Sequence, residues 1–247
     1  MTDPLLPLVD LPGVREAAER ARDALAEVHR HRANRRGWPA TAAEASVRAA
    51  RASAAIEGAS TRLPADGRVE EPVLAGALRV GRALDGEALT NTVRTWQRAP
   101  LQTLARLHLL AATDLVAPDE LGRPRSAPGV GERLDLLSQV VVASSAPAPV
   151  IAAVVHGELL ALRPFGSADG VVARAASRLV AVASGLDPHN LGVPEVSWLR
   201  RRDTYLAAAA AFATGQPEGV ADWVDICCTG LEAGAHEAKS IADAAAG

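Results

Sequence analysis

The sequence lacks the features that mark a nucleic-acid-binding or membrane protein. Its formal net charge is −3 and its aromatic content is 3%, so it has neither an overall basic field nor many rings to stack on bases. No apolar run reaches the roughly 18 residues that a membrane-spanning helix needs. The 26 lysines and arginines include a single lysine, Lys239. We therefore predict no nucleic-acid partner and no membrane partner.

Cysteine is also scarce, since Cys227 and Cys228 are the only two and are adjacent. Vicinal thiols rarely form a disulfide and do not have the spacing of zinc ligands, so we expect reduced, buried cysteines and no metal site. The opening MTDPLLPLVDLPG has no basic start and carries proline within its short apolar run, which is unlike a secretory signal. These features predict a cytoplasmic protein.

Strand signals are almost absent, because apolar and polar residues seldom alternate and alanine dominates the apolar positions. The sequence predicts an all-α protein. The second helix is expected to begin at Thr41, with Glu44 completing a capping box. The predicted helices cover about 13–33, 41–58, 71–84, 88–113, 131–144, 147–162, 169–185, 195–214 and 218–244. The proline-rich connection 117–129 is the longest, and it is either a functional flap or a surface link.

The stretch RPFGSADGVVAR, residues 163–174, forms a turn between two apolar helical runs. With the preceding HGELLAL, it resembles the HPFx(D/E)GNGRxxR motif and lead-in helix of Fic-domain proteins. SAAIEG, residues 53–58, matches the inhibitory motif (S/T)xxxE(G/N) of that family, and residues 107–131 are similar to its flap. The resemblance covers about residues 40–240. It implies an all-α Fic-like core over 71–247, an N-terminal helical extension over 1–70, and flap residues Gly122, Arg125 and Val130.

The motif departs from the family pattern at the positions that carry its chemistry. In active relatives a histidine is the general base, an acidic residue holds Mg²⁺ on ATP, and the loop cradles phosphate. Here the base position is Arg163, which stays protonated, and the metal position is Ser167, a poor sole ligand for Mg²⁺. Asp169 would repel a phosphate at the helix N-terminus, and one phosphate-binding arginine is replaced by Val171. The resemblance therefore implies a catalytically degenerate protein with no ATP or Mg²⁺ cofactor, a binding or regulatory module without AMP-transferase activity.

Two pairs of charged residues follow from this resemblance. Glu57 and Arg174 match the inhibitory glutamate and its arginine partner, so we expect an ion pair. That pair is either a retained regulatory switch or a buried pair kept because losing one partner would strand the other. We also expect Arg163 and Asp169 to face each other and neutralise the pocket. In the competing arrangement, Arg163, Gly170 and Arg174 hold an external anion while Asp169 turns outward as a helix cap.

Two other functional hypotheses remain open at this point. The first is an enzyme with a repurposed pocket, a nucleotidyl or phosphoryl transferase acting on a protein hydroxyl or a small molecule through Arg163 and Asp169. The second is a structural partner in a protein complex or a homodimer, with alanine-rich helices as the contact surface.

Histidines and basic runs outside the motif have simpler interpretations. His156 could replace the lost base, but a hydrogen-bonded core histidine is the favoured interpretation for it and for His108. HRHRANRR, residues 29–36, meets either an acidic partner or nucleic acid, or is a solvated helix end; the solvated end is favoured, since no aromatic residue is interleaved. WLRRRDTY, residues 198–205, is predicted to be an exposed helix face.

Overall fold

The computed structural model describes residues 3–65 and 67–246, and these residues form helices and loops without a strand. The all-α prediction is confirmed. A short 3₁₀ helix, Leu6–Asp10, precedes eleven α-helices. In chain order, α1 to α11 span Val14–Arg30, Asn34–Ile56, Pro72–Ala83, Gly86–Arg98, Pro100–Ala112, Val130–Ala143, Ala148–Leu162, Asp169–Ala183, Pro194–Arg200, Arg202–Phe212 and Pro217–Ala246. None of these helices is both long enough and apolar enough to cross a bilayer.

The hairpin of α7 and α8 forms the centre of the fold. Every residue of α8 from Asp169 to Ala181 is buried, because neighbouring helices cover it on all sides. One apolar cluster joins α3, α4, α5 and α6 to this hairpin. A second cluster joins α1, α10 and α11 to the opposite face of α7. The turn between α7 and α8 therefore lies at the end of a buried hairpin with an apolar cluster on each side.

Small residues let the helices approach closely. A Cβ atom added to Gly76 on α3 would lie 2.0 Å from the carbonyl oxygen of Ala111 on α5. A Cβ atom on Gly157 of α7 would lie 2.6 Å from Nε1 of Trp223 on α11. Both contacts require glycine because no side chain fits in the space between the helices.

Two helices predicted as continuous are broken, so those predictions were wrong. The run 88–113 is divided at Ala99, which has φ −145° and ψ 70° and precedes Pro100 at the start of α5. Proline disfavours the helical conformation in the residue before it. The run 195–214 is divided at Arg201, with φ −120° and ψ 41°.

The break at Arg201 also corrects the interpretation of residues 198–205 as an exposed face. The side chains of Trp198 and Tyr205 are buried, with 3% and 1% of their surface exposed. Only the intervening polar residues face solvent. The two aromatic rings pack against each other at 5.6 Å between centroids. This buried contact stabilises the change of direction at Arg201.

The predicted start of the second helix at Thr41 was wrong as well. The helix begins at Asn34, so Thr41 lies inside it, and the Thr41 hydroxyl donates a hydrogen bond to Oδ1 of Asn34 at 2.8 Å. Glu44 does not return a capping bond but accepts one from Nε of Arg48 at 2.7 Å. The buried Asn34–Thr41 bond supports the first turns of the helix in place of the capping box.

Candidate functional site

The turn from α7 to α8 is built on left-handed backbone conformations. Arg163 ends α7 with φ 47°, Gly166 has φ 76°, and Ala168 precedes α8 with φ 51°. Left-handed φ is costly for residues other than glycine, so the surroundings must stabilise this turn. They do so from two sides, through His108 and through the 117–129 connection.

His108 on α5 holds the middle of the turn. Its Nδ1 accepts a hydrogen bond from the Gly122 N–H at 3.0 Å, so its Nε2 carries the proton and donates to the Ser167 hydroxyl at 3.0 Å. The ring stacks on Phe165 at 4.2 Å between centroids. Burial lowers the pKa of His108, which keeps the imidazole neutral. The prediction of a hydrogen-bonded core histidine is confirmed at this position.

Arg125 holds the end of α7. Its backbone N–H donates to the Pro164 carbonyl, its Nε to the Arg163 carbonyl and its Nη2 to the Leu162 carbonyl, each at 2.8 Å. These bonds satisfy carbonyl groups that a helix leaves free at its C-terminus. Of the three flap residues expected from the sequence, Gly122 and Arg125 fix the turn directly or through His108, while Val130 is buried at the start of α6.

The expected pairing of Arg163 with Asp169 was wrong. Arg163 is exposed, whereas Asp169 is buried and its Oδ1 accepts a hydrogen bond from the Phe165 N–H at 2.9 Å. Its Oδ2 has no hydrogen-bond partner among the described residues. Nor is Asp169 turned outward, as the competing arrangement required. The left-handed residues fold the turn so tightly that the carboxylate closes it from inside.

Burial of the Asp169 carboxylate affects its pKa. Loss of hydration raises the pKa of Asp169, against the opposing influence of the Phe165 and Gly166 N–H groups and of the Arg163 and Arg125 charges. The two arginines therefore act on Asp169 at a distance, without an ion pair.

Glu57 and Arg174, by contrast, are brought together as the sequence indicated. Oε1 of Glu57 lies 2.7 Å from Nη2 of Arg174, and Arg174 is only 1% exposed. Arg174 also donates from Nε to the Ser53 hydroxyl at 2.8 Å and from Nη2 to the Ser53 carbonyl at 3.0 Å. The first and fifth residues of SAAIEG thus bind the same guanidinium on α8.

Glu57 lies directly over the first turn of α8. A Cβ atom added to Gly170 would lie 2.1 Å from Oε1 of Glu57, so glycine at this position makes room for the carboxylate. With Asp169 on the same turn, the positive end of the α8 dipole is flanked by two of the protein's own carboxylates. An incoming anion would have to displace or overcome both.

A chain of hydrogen bonds runs from Arg174 into the core. Its Nη1 donates to the Tyr205 hydroxyl at 3.4 Å, and that oxygen lies 2.8 Å from Nε2 of His156. Nδ1 of His156 lies 3.9 Å from Sγ of Cys227. His156 is fully buried, and burial together with the Arg174 charge holds its pKa well below the usual range. The core-histidine interpretation of His156 is confirmed.

The sequence analysis missed the role of Tyr205 in these hydrogen bonds, because it predicted that residues 198–205 form an exposed helix face. The signal that could have found it was the single tyrosine of the sequence, a residue that usually bonds its hydroxyl when buried. The two cysteine side chains, of which only Cys227 contacts His156, behave as predicted. Cys227 and Cys228 are buried and unbridged, and burial raises the pKa of Cys228 to about 12.

A cleft of about 480 Å³ opens above these groups, between α7, α8 and α10. Its floor carries Glu57, Asp169 and Arg174, and Arg163 lies at its rim. Its wall is apolar and is formed largely by Leu160, Leu206 and alanines of α10. Within residues 3–65 and 67–246, no cluster of three histidine, cysteine or acidic side chains is arranged to hold a metal ion.

Comparison with known proteins supports the fold and not a closer relationship. No protein-family model matches the sequence, and no curated protein matches it. Solved structures do match. A Fic family protein from Desulfovibrio desulfuricans G20 has 20% sequence identity and a TM-score of 0.64, with 93% of this chain and 74% of that chain covered. Fic-1 from C. elegans has 18% identity and a TM-score of 0.71, with 92% and 72% covered. The chain therefore has a Fic-like helical fold.

Proposed function

We propose that this Fic-fold protein is a binding or regulatory module that does not transfer AMP. The observation that carries the proposal is the buried carboxylate of Asp169, which closes the first turn of α8 from inside. In a phosphate-binding turn of this type, backbone N–H groups at a helix N-terminus receive the anion. Here a carboxylate of the protein already occupies the favourable end of the dipole.

The side chains around that turn also lack the means for nucleotidyl transfer. Arg163 is a permanently charged donor and cannot accept a proton from a hydroxyl nucleophile. The Ser167 hydroxyl is bonded to His108, and the Val171 side chain is buried. Neither offers the charged oxygen that Mg²⁺ prefers. The family's base, its metal ligand and one of its two phosphate-binding arginines are thus replaced together in this turn.

The ion pair between Glu57 and Arg174 supports a structural role for the N-terminal helix in this module. Arg174 is buried and would be left without a counter-charge if Glu57 were lost, which for buried pairs costs about 3–5 kcal/mol. The partial exposure of Glu57, at 35%, places the cost here at the lower end. A module without catalysis acts through what it binds, which we take to be another protein or a second copy of this chain in the cytoplasm.

The proposal is tested by incubating the protein with Mg²⁺ and ATP labelled at the α-phosphate. Neither the wild type nor Glu57→Gly, which removes the carboxylate above α8, should attach label to itself or to added proteins. The reason is that opening the cleft does not restore a base at Arg163 or a metal ligand at Ser167. Circular dichroism checks that the variant is folded.

Label on either protein above a heat-inactivated control would contradict the proposal and favour the repurposed transferase. Calorimetric titration with ATP, with and without Mg²⁺, provides a second measurement. We expect no binding of ATP without Mg²⁺, because the cleft presents two carboxylates where the phosphates would lie. We also expect no gain on adding Mg²⁺, because Glu57 is paired with Arg174 and the Ser167 hydroxyl is bonded to His108.

A further inference from the structure

The turn between α1 and α2 presents four arginines to solvent. Arg30, Arg32, Arg35 and Arg36 are all exposed, and together they define the basic turn. No carboxylate among the described residues lies within ion-pair distance of their guanidinium groups. Two other exposed arginines, both on α1, do form ion pairs: Arg15 with Asp10 at 2.7 Å and Arg22 with Asp23 at 2.9 Å.

Three residues beside these arginines, His29, His31 and Asn34, anchor the turn to other parts of the molecule. Nε2 of His29 lies 2.9 Å from Oδ1 of Asp187, and Nε2 of His31 lies 3.0 Å from Oδ1 of Asp243. Nδ2 of Asn34 donates to the Val28 carbonyl at 2.9 Å. The two histidines thus contact Asp187 and Asp243, while the four arginines are exposed and, among the described residues, without an ion pair.

This alternation of inward anchors and outward arginines means that the basic turn is ordered before any partner arrives. A backbone that is already ordered loses less conformational entropy on binding. The prediction that residues 29–36 form a solvated helix end therefore holds only for the arginines, because His29, His31 and Asn34 make hydrogen bonds within the protein.

We propose that the basic turn binds an acidic segment of a partner protein. Four guanidinium groups can each take a carboxylate through two parallel N–H donors. The proposal is independent of the cleft above α8, because the turn lies at the opposite end of α2 from Glu57.

Two observations favour an acidic peptide over nucleic acid. The net charge of −3 repels a long polyanion once it extends beyond this turn. The nearest aromatic ring, that of Trp38, is stacked on His189 at 4.2 Å with planes 6° apart, so it has one face already covered. A short run of carboxylates needs neither a long basic field nor a free ring.

The test uses a fluorescein-labelled peptide of about ten glutamates and fluorescence anisotropy. The turn variant is Arg32→Gln/Arg35→Gln/Arg36→Gln. The matched control is Arg94→Gln/Arg98→Gln/Arg106→Gln, which removes the same charge from exposed positions on α4 and α5. We expect the turn variant to bind about tenfold more weakly than the wild type, the sum of three individually weak exposed ion pairs. The control should change affinity by less than about twofold, since its arginines lie away from the turn.

Salt gives the second measurement. Binding by the wild type should weaken strongly between about 20 mM and about 300 mM NaCl, because the Debye length falls from roughly 20 Å to below 10 Å. Equal losses in both variants, or no peptide binding by the wild type at low salt, would overturn the proposal. Tighter binding of a ten-nucleotide single strand than of the peptide would overturn it in favour of nucleic acid.

Discussion

Arg174 is the residue on which most of the site depends. It is buried, and its guanidinium donates four hydrogen bonds, two to Ser53 and one each to Glu57 and Tyr205. Because Ser53 and Glu57 belong to α2 and its C-terminal end, and Tyr205 belongs to α10, one side chain on α8 connects two other helices. A guanidinium remains charged where a lysine would lose its proton, so only arginine can serve all of them.

The same buried charge determines how His156 responds to pH. Burial and the nearby Arg174 hold the pKa of His156 well below its usual value of 6.5. Below about pH 6.5, His156 therefore binds a proton in the unfolded chain but stays neutral in the folded protein. The free energy of unfolding is therefore unaffected by the titration of His156 above that pH. It decreases as pH falls below it, by up to about 1.4 kcal/mol per pH unit.

We expect His156→Gln to reduce this pH dependence. Glutamine can still accept the Tyr205 hydrogen bond but cannot titrate. The measurement is the free energy of unfolding in urea at about pH 7.5 and about pH 5.5, where the linkage slope differs most. His108 and His189 also have lowered pKa values, but they are common to both proteins. Identical slopes for the wild type and His156→Gln would show that His156 does not carry the effect.

At the residue scale, the sequence predicted a contact correctly where both residues match positions of a family motif. It did not predict a side-chain direction that depends on the backbone conformation. Glu57 and Arg174 were paired correctly although 117 residues separate them. Asp169 was placed wrongly because its direction depends on positive φ at Arg163 and Ala168. Residues other than glycine rarely adopt such values, and no pattern in RPFGSADGVVAR indicates them.

At the scale of helices, close approach between α3 and α5 gives a sharp prediction. Gly76→Ala places a methyl group against the Ala111 backbone, which cannot move away as a flexible side chain could. We expect a loss of about 1–3 kcal/mol in unfolding free energy, as for overpacked cores. Gly37→Ala is the matched control: Gly37 lies in α2 with nothing near its Cβ position, and alanine there should stabilise by about 0.5–1 kcal/mol.

Both variants are compared with the wild type by urea unfolding. Both variants replace a helical glycine by alanine, and only the surroundings of the added methyl group differ. Equal stability of Gly76→Ala and Gly37→Ala would therefore show that close contact between α3 and α5 does not require glycine at position 76.

Helix existence was predicted well from composition, and helix ends less well. The break at Ala99 has a local cause in Pro100 and could have been predicted. The break at Arg201 has no proline or glycine beside it, and it depends on the burial of Trp198 and Tyr205 against other helices. Such a tertiary cause leaves no mark in a window of neighbouring residues.

At the scale of the whole molecule, the N-terminal helices share a core with the rest of the chain. The buried side of α1 includes Val14, Leu25 and Val28, which belong to the same apolar cluster as Trp223 of α11. We expect a chain lacking residues 1–33 to lose cooperative unfolding. Fully burying each such side chain contributes roughly 1.5–3 kcal/mol, and their sum is comparable to the total stability of about 5–15 kcal/mol.

This is checked by thermal unfolding followed in parallel by circular dichroism and tryptophan fluorescence. The two signals of the full chain should coincide, as in a two-state transition. A truncated chain that melts cooperatively within a few degrees of the full chain would show that the predicted extension over residues 1–70 contains a dispensable unit.

The stacking of Trp38 on His189 gives the molecule an optical property. The other three tryptophans, Trp96, Trp198 and Trp223, are buried, whereas Trp38 is partly exposed. Indole emission shifts to longer wavelength in contact with water and is quenched by a protonated imidazole. The red edge of the emission spectrum therefore belongs to Trp38, which lies two residues after Arg36. If the proposed acidic segment binds beside Trp38, the tryptophan emission of the protein should change on binding, without any added dye.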